Sequence, residues 1–232
     1  MSGRCARAKA QRQVLPRSVV ATIALAVGTM SPLPAQTPSR SPNVVSRPSD
    51  PAVDVVVAPE FSFLGRVRAT VMDGKATSEQ YWFVRSDSGR IARMVVIHFE
   101  RWNDGVDGRF DYPTFRQQRI GSHDYLHQSF PLESACALAT SEVRALMQRA
   151  HLLLARECIA TRFVRAASAD KRREIILFYV EPVDTLPSTE GLGPGGLPLG
   201  YDRAGSPETP WSATDRRLTR EALRAIDVRD RP

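Results

Sequence analysis

Most of the local signatures that assign a chemistry are missing from this sequence. It has no GxSxG elbow, no HExxH pair, no Walker loop, no paired CxxC and no CxxCH, so no motif-borne hydrolase, zinc, nucleotide or haem chemistry is read and no cofactor is implied. GLGPGG at 191–196 follows no domain-opening strand, contains Pro194 and leads into Pro198 rather than a helix, which makes it linker rather than a dinucleotide loop. NDGVDGRFDY at 103–112 lacks the alternating acids and closing Glu of a calcium loop and reads as turn. No apolar run approaches the roughly 20 residues that cross a bilayer as a helix. Cysteine is scarce, with Cys5, Cys136 and Cys158 only. The last two flank or lie on one predicted helix, which would hold them about 33 Å apart at 1.5 Å per residue. A disulfide needs Cα atoms within about 7 Å, so the pair is expected to be small buried hydrophobes unless the helix breaks near Thr140 and folds back.

A clustered basic stripe is also lacking. Of 32 basic side chains against 25 acidic ones, Arg4, Arg7, Lys9, Arg12 and Arg17 precede an apolar, small-residue run at 18–30 with no acid among them. With Leu33-Pro34-Ala35 as the exit, 1–35 reads as a secretory leader. Its removal leaves 27 basic against 25 acidic side chains, so the high pI is mostly a property of targeting. Nucleic acid is not an expected partner; Lys171-Arg172-Arg173 sits at a hairpin turn, where charge is solvated. The expected location is periplasmic or extracellular, with no integral membrane span once the leader is gone. Anchoring by an uncleaved leader is the alternative.

What is present is organised around 81–102, YWFVRSDSGRIARMVVIHFERW, a β-hairpin. Ser86-Asp87-Ser88-Gly89 suits a type I turn closing on a bulge. With Ser86 facing Arg90, Trp82 faces Met94 and Val84 faces Ala92, and one face carries Trp82, Val84, Ala92, Met94 and Val96. Upstream, 61–72 alternates, with Phe61, Phe63, Gly65, Val67, Ala69 and Val71 on one side. Asp73-Gly74 is a hairpin dipeptide, and a two-residue loop there places Gly65 opposite Trp82 and Phe63 opposite Val84. Followed past Val96, the core face reaches His98 and then Glu100. Buried charges need partners or water, so this pair is the most informative polar feature of the chain.

Elsewhere, 36–54 is rich in Pro, Ser and small residues and reads as a disordered spacer, with a short edge strand near Val55 to follow. Phe110, Tyr112 and Phe115 around Pro113 suggest an edge strand. The run 131–157 carries Leu132, Cys136, Ala139, Val143, Met147, Ala150 and Leu154 at three- and four-residue steps, predicting a long helix, with Thr140-Ser141 able to cap a second one. Two strands follow at 158–167 and 173–183, the second apolar on both faces as an interior strand would be. Residues 184–211 read as a Pro/Gly-rich linker, and 212–228 as a short amphipathic helix that docks on something if ordered. The expected fold is a single α+β domain over 55–183. It has a mainly antiparallel sheet of about five to six strands and one long helix, breakable near Thr140, packed on one face.

Three functions fit this pattern. The first is an exported, non-catalytic domain binding a small molecule or an envelope protein in a groove between helix and sheet. The second is a hydrolase or lyase with His98 as general base, Glu100 or Glu181 as its orienter, and Tyr179 as proton donor or oxyanion contact. The third is an accessory subunit of an envelope complex that docks through its C-terminal helix. His123 and His127 have the four-residue spacing of helical metal ligands, but Gly121-Ser122 before them favours loop or strand and no metal is expected.

Overall fold

The computed structural model describes residues 43–49, 51–112, 116–132, 140–190, 192 and 209–231. The expected leader and Cys136 lie outside the described residues. Those residues form β1 (Val44–Arg47), β2 (Val53–Val57), β3 (Ser62–Val71), β4 (Ala76–Asp87), β5 (Arg90–Trp102), β6 (Arg116–Ile120) and β7 (His123–Leu132). Then come α1 (Ser141–Arg149), β8 (Glu157–Ala166), β9 (Arg173–Val183), α2 (Pro210–Ala225) and β10 (Ile226–Asp230). Seven strands make one antiparallel sheet in the order β3-β4-β5-β9-β8-β7-β6, and β1-β2-β10 make a second, three-stranded sheet.

Side chains alternate across the large sheet and divide the core in two. Phe83, Val95, Ile97, Phe99, Phe163, Ile175, Leu177 and Tyr179 point to one face, which is covered by Val45, Val53, Val55 and Val57 of the small sheet and by Trp211, Leu218 and Ala222 of α2. Trp82, Val84, Met94, Val96, Ile176, Phe178 and Val180 point to the other, where Val143 and Met147 of α1 cover them. A sheet buried on both sides is what the unbroken apolar run of β9 encodes.

The α+β, mainly antiparallel class is present, with more strands than expected. The single long helix over 131–157 is not. Pro131 and Leu132 end β7 opposite Ile159 and Cys158, and α1 spans nine residues, capped by Thr140, whose hydroxyl accepts from the Val143 amide. His151, with φ +55°, turns the chain out of the helix. Leu153 then exchanges backbone hydrogen bonds with Gly89 and Ile91, at 2.8 and 2.9 Å.

Two further expectations change. The stretch 36–54 contains β1 and the start of β2, because Val45 and Val53 alternate inward. The core also reaches beyond 55–183. Thr209 and Ser212 form a capping box with Pro210 at the first turn of α2, and Ile226 enters β10 directly, pairing with Val57 as Val228 pairs with Val55.

In the β4–β5 hairpin, Ser88 and Gly89 alone form the turn, with φ of +48° and +78°, so that Asp87 faces Arg90. A bulge at Arg85/Ser86 then pairs Val84 with Met94 and Trp82 with Val96. The shift is two residues from that expected, so those side chains keep their face, while buried Ile91 replaces Ala92 on it. Gly65 does sit opposite Trp82, but a bulge between Phe63 and Gly65 pairs Phe63 with Phe83 and sends Phe61 and Phe63 to the other side. The space above Gly65 belongs to α1: a Cβ there would lie 2.8 Å from Leu146 Cδ1.

Candidate functional site

Even-numbered positions of β5 and β9 share the α1 face, and past Val96 and Ile176 that face becomes polar. His98 and Glu100 are 8% and 7% exposed, and His98 Nδ1 lies 3.1 Å from Glu100 Oε1. A carboxylate accepting from Nδ1–H fixes the tautomer that leaves Nε2 as the basic nitrogen. Phe178 packs on the imidazole, with ring centroids 5.1 Å apart. Opposite Glu100 across the strand pair is Glu174, also buried, whose Oε2 accepts a 2.7 Å hydrogen bond from Tyr112 Oη. Burial first, and then the Glu100 charge, push the Glu174 carboxyl up to about 8, while Arg162 acts in the opposite direction. Arg162 reaches in from β8, over the rings of Tyr112 and Phe130 at 5.7 and 5.8 Å. Burial raises the Tyr112 hydroxyl, with Glu174 adding to it. The cluster can hold one proton on a carboxyl pair and orient one imidazole.

Tyr179 and Glu181, read in sequence as companions of His98, stand on the opposite face. They are odd-numbered on β9, whereas His98 pairs with Ile176. Tyr179 donates to Glu181 Oε1 at 3.0 Å, and Arg217 of α2 donates to Glu181 Oε2 at 2.6 Å. Arg93 lies 3.8 Å from the same carboxylate. Glu181 thus ties α2 to the sheet, and Tyr179 is raised by burial and by that carboxylate. The partners that do meet His98 and Glu100 are Glu174, Tyr112 and Arg162. Parity along β9 was the available signal for Glu174; nothing local pointed to the other two.

His123 and His127 lie on β7, about 13 Å apart at roughly 3.3 Å per strand residue, each in its own contacts. His123 Nε2 is 2.6 Å from Asp230 Oδ1, and Arg165 approaches its Nδ1 at 2.9 Å. Among the described residues no three His, Cys, Asp or Glu side chains are grouped to hold a metal ion.

His127 opens onto a different feature, a groove of about 350 Å³ between β6 and α2. Arg116, Gln118, His127, Arg216, Thr219 and Arg220 contribute to its walls, with Leu223 at one end. Arg116 is held by an ion pair to fully buried Asp215 and also reaches His127 Nδ1 at 3.2 Å. A guanidinium only donates, so Nδ1 accepts and the proton of the neutral ring sits on Nε2. That nitrogen lies 2.8 Å from Thr161 Oγ1 and 3.0 Å from Thr219 Oγ1. Thr219 already donates to the Asp215 carbonyl at 2.8 Å, so its hydroxyl accepts from His127 and is not deprotonated by it. Burial, opposed by Asp215 and assisted by Arg116, lowers His127 to about 4. His127 is therefore a wall of the groove rather than a base, and among the described residues no acidic side chain lines the groove.

No helix among the described residues is long and apolar enough to cross a membrane. No protein-family model, curated protein or solved structure matches the chain.

Proposed function

We propose that this is an exported binding domain, and that the groove between α2 and β6 receives an anionic group of a ligand or envelope protein. The observation that carries the reading is the lining itself, in which Arg116, ion-paired to Asp215 behind the wall, stands with Arg216 and Arg220 of α2 beside the amide of Gln118 and the hydroxyl of Thr219. Arginine forks match carboxylate and phosphate geometry, and a concave wall with partly excluded water strengthens the attraction. Titration with inorganic phosphate, followed by the amide resonances of Thr219 and Arg220, tests it. Saturable shifts that Arg220→Glu abolishes are expected; resonances that do not move at millimolar phosphate remove the proposal. Export is tested separately by the N-terminal sequence of protein recovered from the cell envelope, expected near residue 36.

A second reading, a hydrolase or lyase centred on His98, draws on the 3.1 Å contact between its Nδ1 and Glu100. In His98→Asn, ligand binding or turnover lost at unchanged melting temperature favours a site. Lost stability alone assigns the imidazole to packing. The third reading, a docking subunit, is left with the outer face of α2, since the inner face with Trp211, Leu218 and Ala222 is occupied by the core.

A further inference from the structure

The groove is bounded along its length by features of regular spacing, and the spacing selects the shape of the occupant. Arg216 and Arg220 are one step of four apart on α2, about 6 Å along the helix axis. Leu223, 37% exposed, continues the stripe, giving a rim of about 10 Å from Arg216 to Leu223. Side chains on one face of an extended chain recur every two residues, about 6.6 Å. Acids at alternate positions of a strand thus recur at nearly the same interval as the two arginines along α2.

The facing wall supplies the backbone partner. Among the described residues β6 is the last strand of its sheet and pairs with β7 alone. Its hairpin is closed by Gly121 and Ser122, with Ile120 opposite His123. Hydrogen-bonded and non-bonded pairs then alternate from Ile120, which turns the backbone groups of Gln117 and Arg119 outward. The Arg119 carbonyl accepts from the Gln118 side chain on that edge, at 3.2 Å. Gln117 and Arg119 are both exposed.

Resting on the anion-binding reading of this groove, we infer that its occupant is an extended acidic segment of a partner protein. The segment carries carboxylates at alternate positions and adds as a strand along β6, its acids meeting Arg216 and Arg220. Main-chain bonds to Gln117 and Arg119 supply length and direction, the arginines select charge, and Leu223 receives an apolar residue at one end.

The probe is a fluorescein-labelled peptide of alternating Glu and Thr, titrated by anisotropy with the full chain. A Gln-for-Glu peptide and a peptide N-methylated at alternate residues serve as controls. Saturable binding is expected for the Glu peptide, weakened at least tenfold by added salt, by Arg216→Ala with Arg220→Ala, and by either control peptide. Gln117→Pro removes an outward N–H alone and is expected to weaken binding with unchanged melting; if it unfolds, the N-methylated peptide carries the same test without altering the protein. Equal binding of the N-methylated or Gln peptide overturns the inference. Phosphate shifts at Thr219 without peptide binding overturn it while leaving the anion groove standing, and the absence of both removes the two together.

Discussion

Glu100 and Glu174 are cross-strand partners in the β5–β9 pair and both are buried. Two carboxyls so placed do not both ionise at neutral pH, and Glu174, pushed to about 8 by burial and by Glu100, keeps its proton. The unfolded chain releases that proton at the ordinary value of 4.5. Stability from this group is therefore complete below about 4.5 and falls as pH rises toward 8, because the folded state binds more protons. Glu174→Gln is expected to flatten this limb and to raise stability at pH 8 by on the order of 1–3 kcal/mol, read by urea denaturation across a pH series. An unchanged pH slope in the variant contradicts the assignment.

His127 acts in the opposite sense. Its folded value, lowered to about 4 mainly by burial, lies below the ordinary 6.5, so the folded state binds fewer protons and stability is lost as pH falls from 6.5 to 4. Between 4.5 and 6.5 this slope and that of Glu174 oppose each other, and only the Glu174 decline remains above 6.5. His127→Gln is expected to extend the Glu174 decline down to about pH 4.5, so that stability falls continuously from there to 8. The same urea series checks it.

Trp211 is fully buried among the side chains of the first core layer, so α2 is structural before it is anything else. Trp211→Ala is expected to cost about 3–5 kcal/mol. A chain ending before Thr209 loses both α2 and β10 and is expected not to give a cooperative thermal transition. A well-dispersed spectrum from that truncation would show the seven-stranded sheet to be self-sufficient.

Gly121 closes the β6–β7 hairpin at φ +58°, and a Cβ there would lie 1.9 Å from the Val228 carbonyl oxygen of β10. Gly105, at φ +77°, has nothing within 4 Å of such a Cβ. Both alanine variants bear the backbone cost, about 1 kcal/mol, but only Gly121→Ala pushes β10 away. Its melting temperature is expected to fall further than that of Gly105→Ala, with faster hydrogen exchange in 226–230.

The β3–β4–β5 meander was legible because Asp73-Gly74 and Ser88-Gly89 punctuate alternating runs. The two bulges were not, since one inserted residue leaves no mark in an alternation that is imperfect anyway. The long helix was misread because Pro131 and Leu132 of a strand, nine residues of helix and the extended Leu152–Leu154 segment together mimic one helical stripe. The His98–Glu100 contact is local, two residues apart on one strand, and could be read directly. Its true companions depend on register and on a loop folding back, which no local pattern records.

Ala225 is followed by Ile226 with no intervening loop, and β10 closes on a strand from the opposite end of the chain. During synthesis, Val55 leaves the ribosome more than 150 residues before Val228, its partner in β10, is made. A nascent polypeptide therefore holds one edge of β2 unpaired throughout elongation, and the small sheet closes only after 226–230 have emerged.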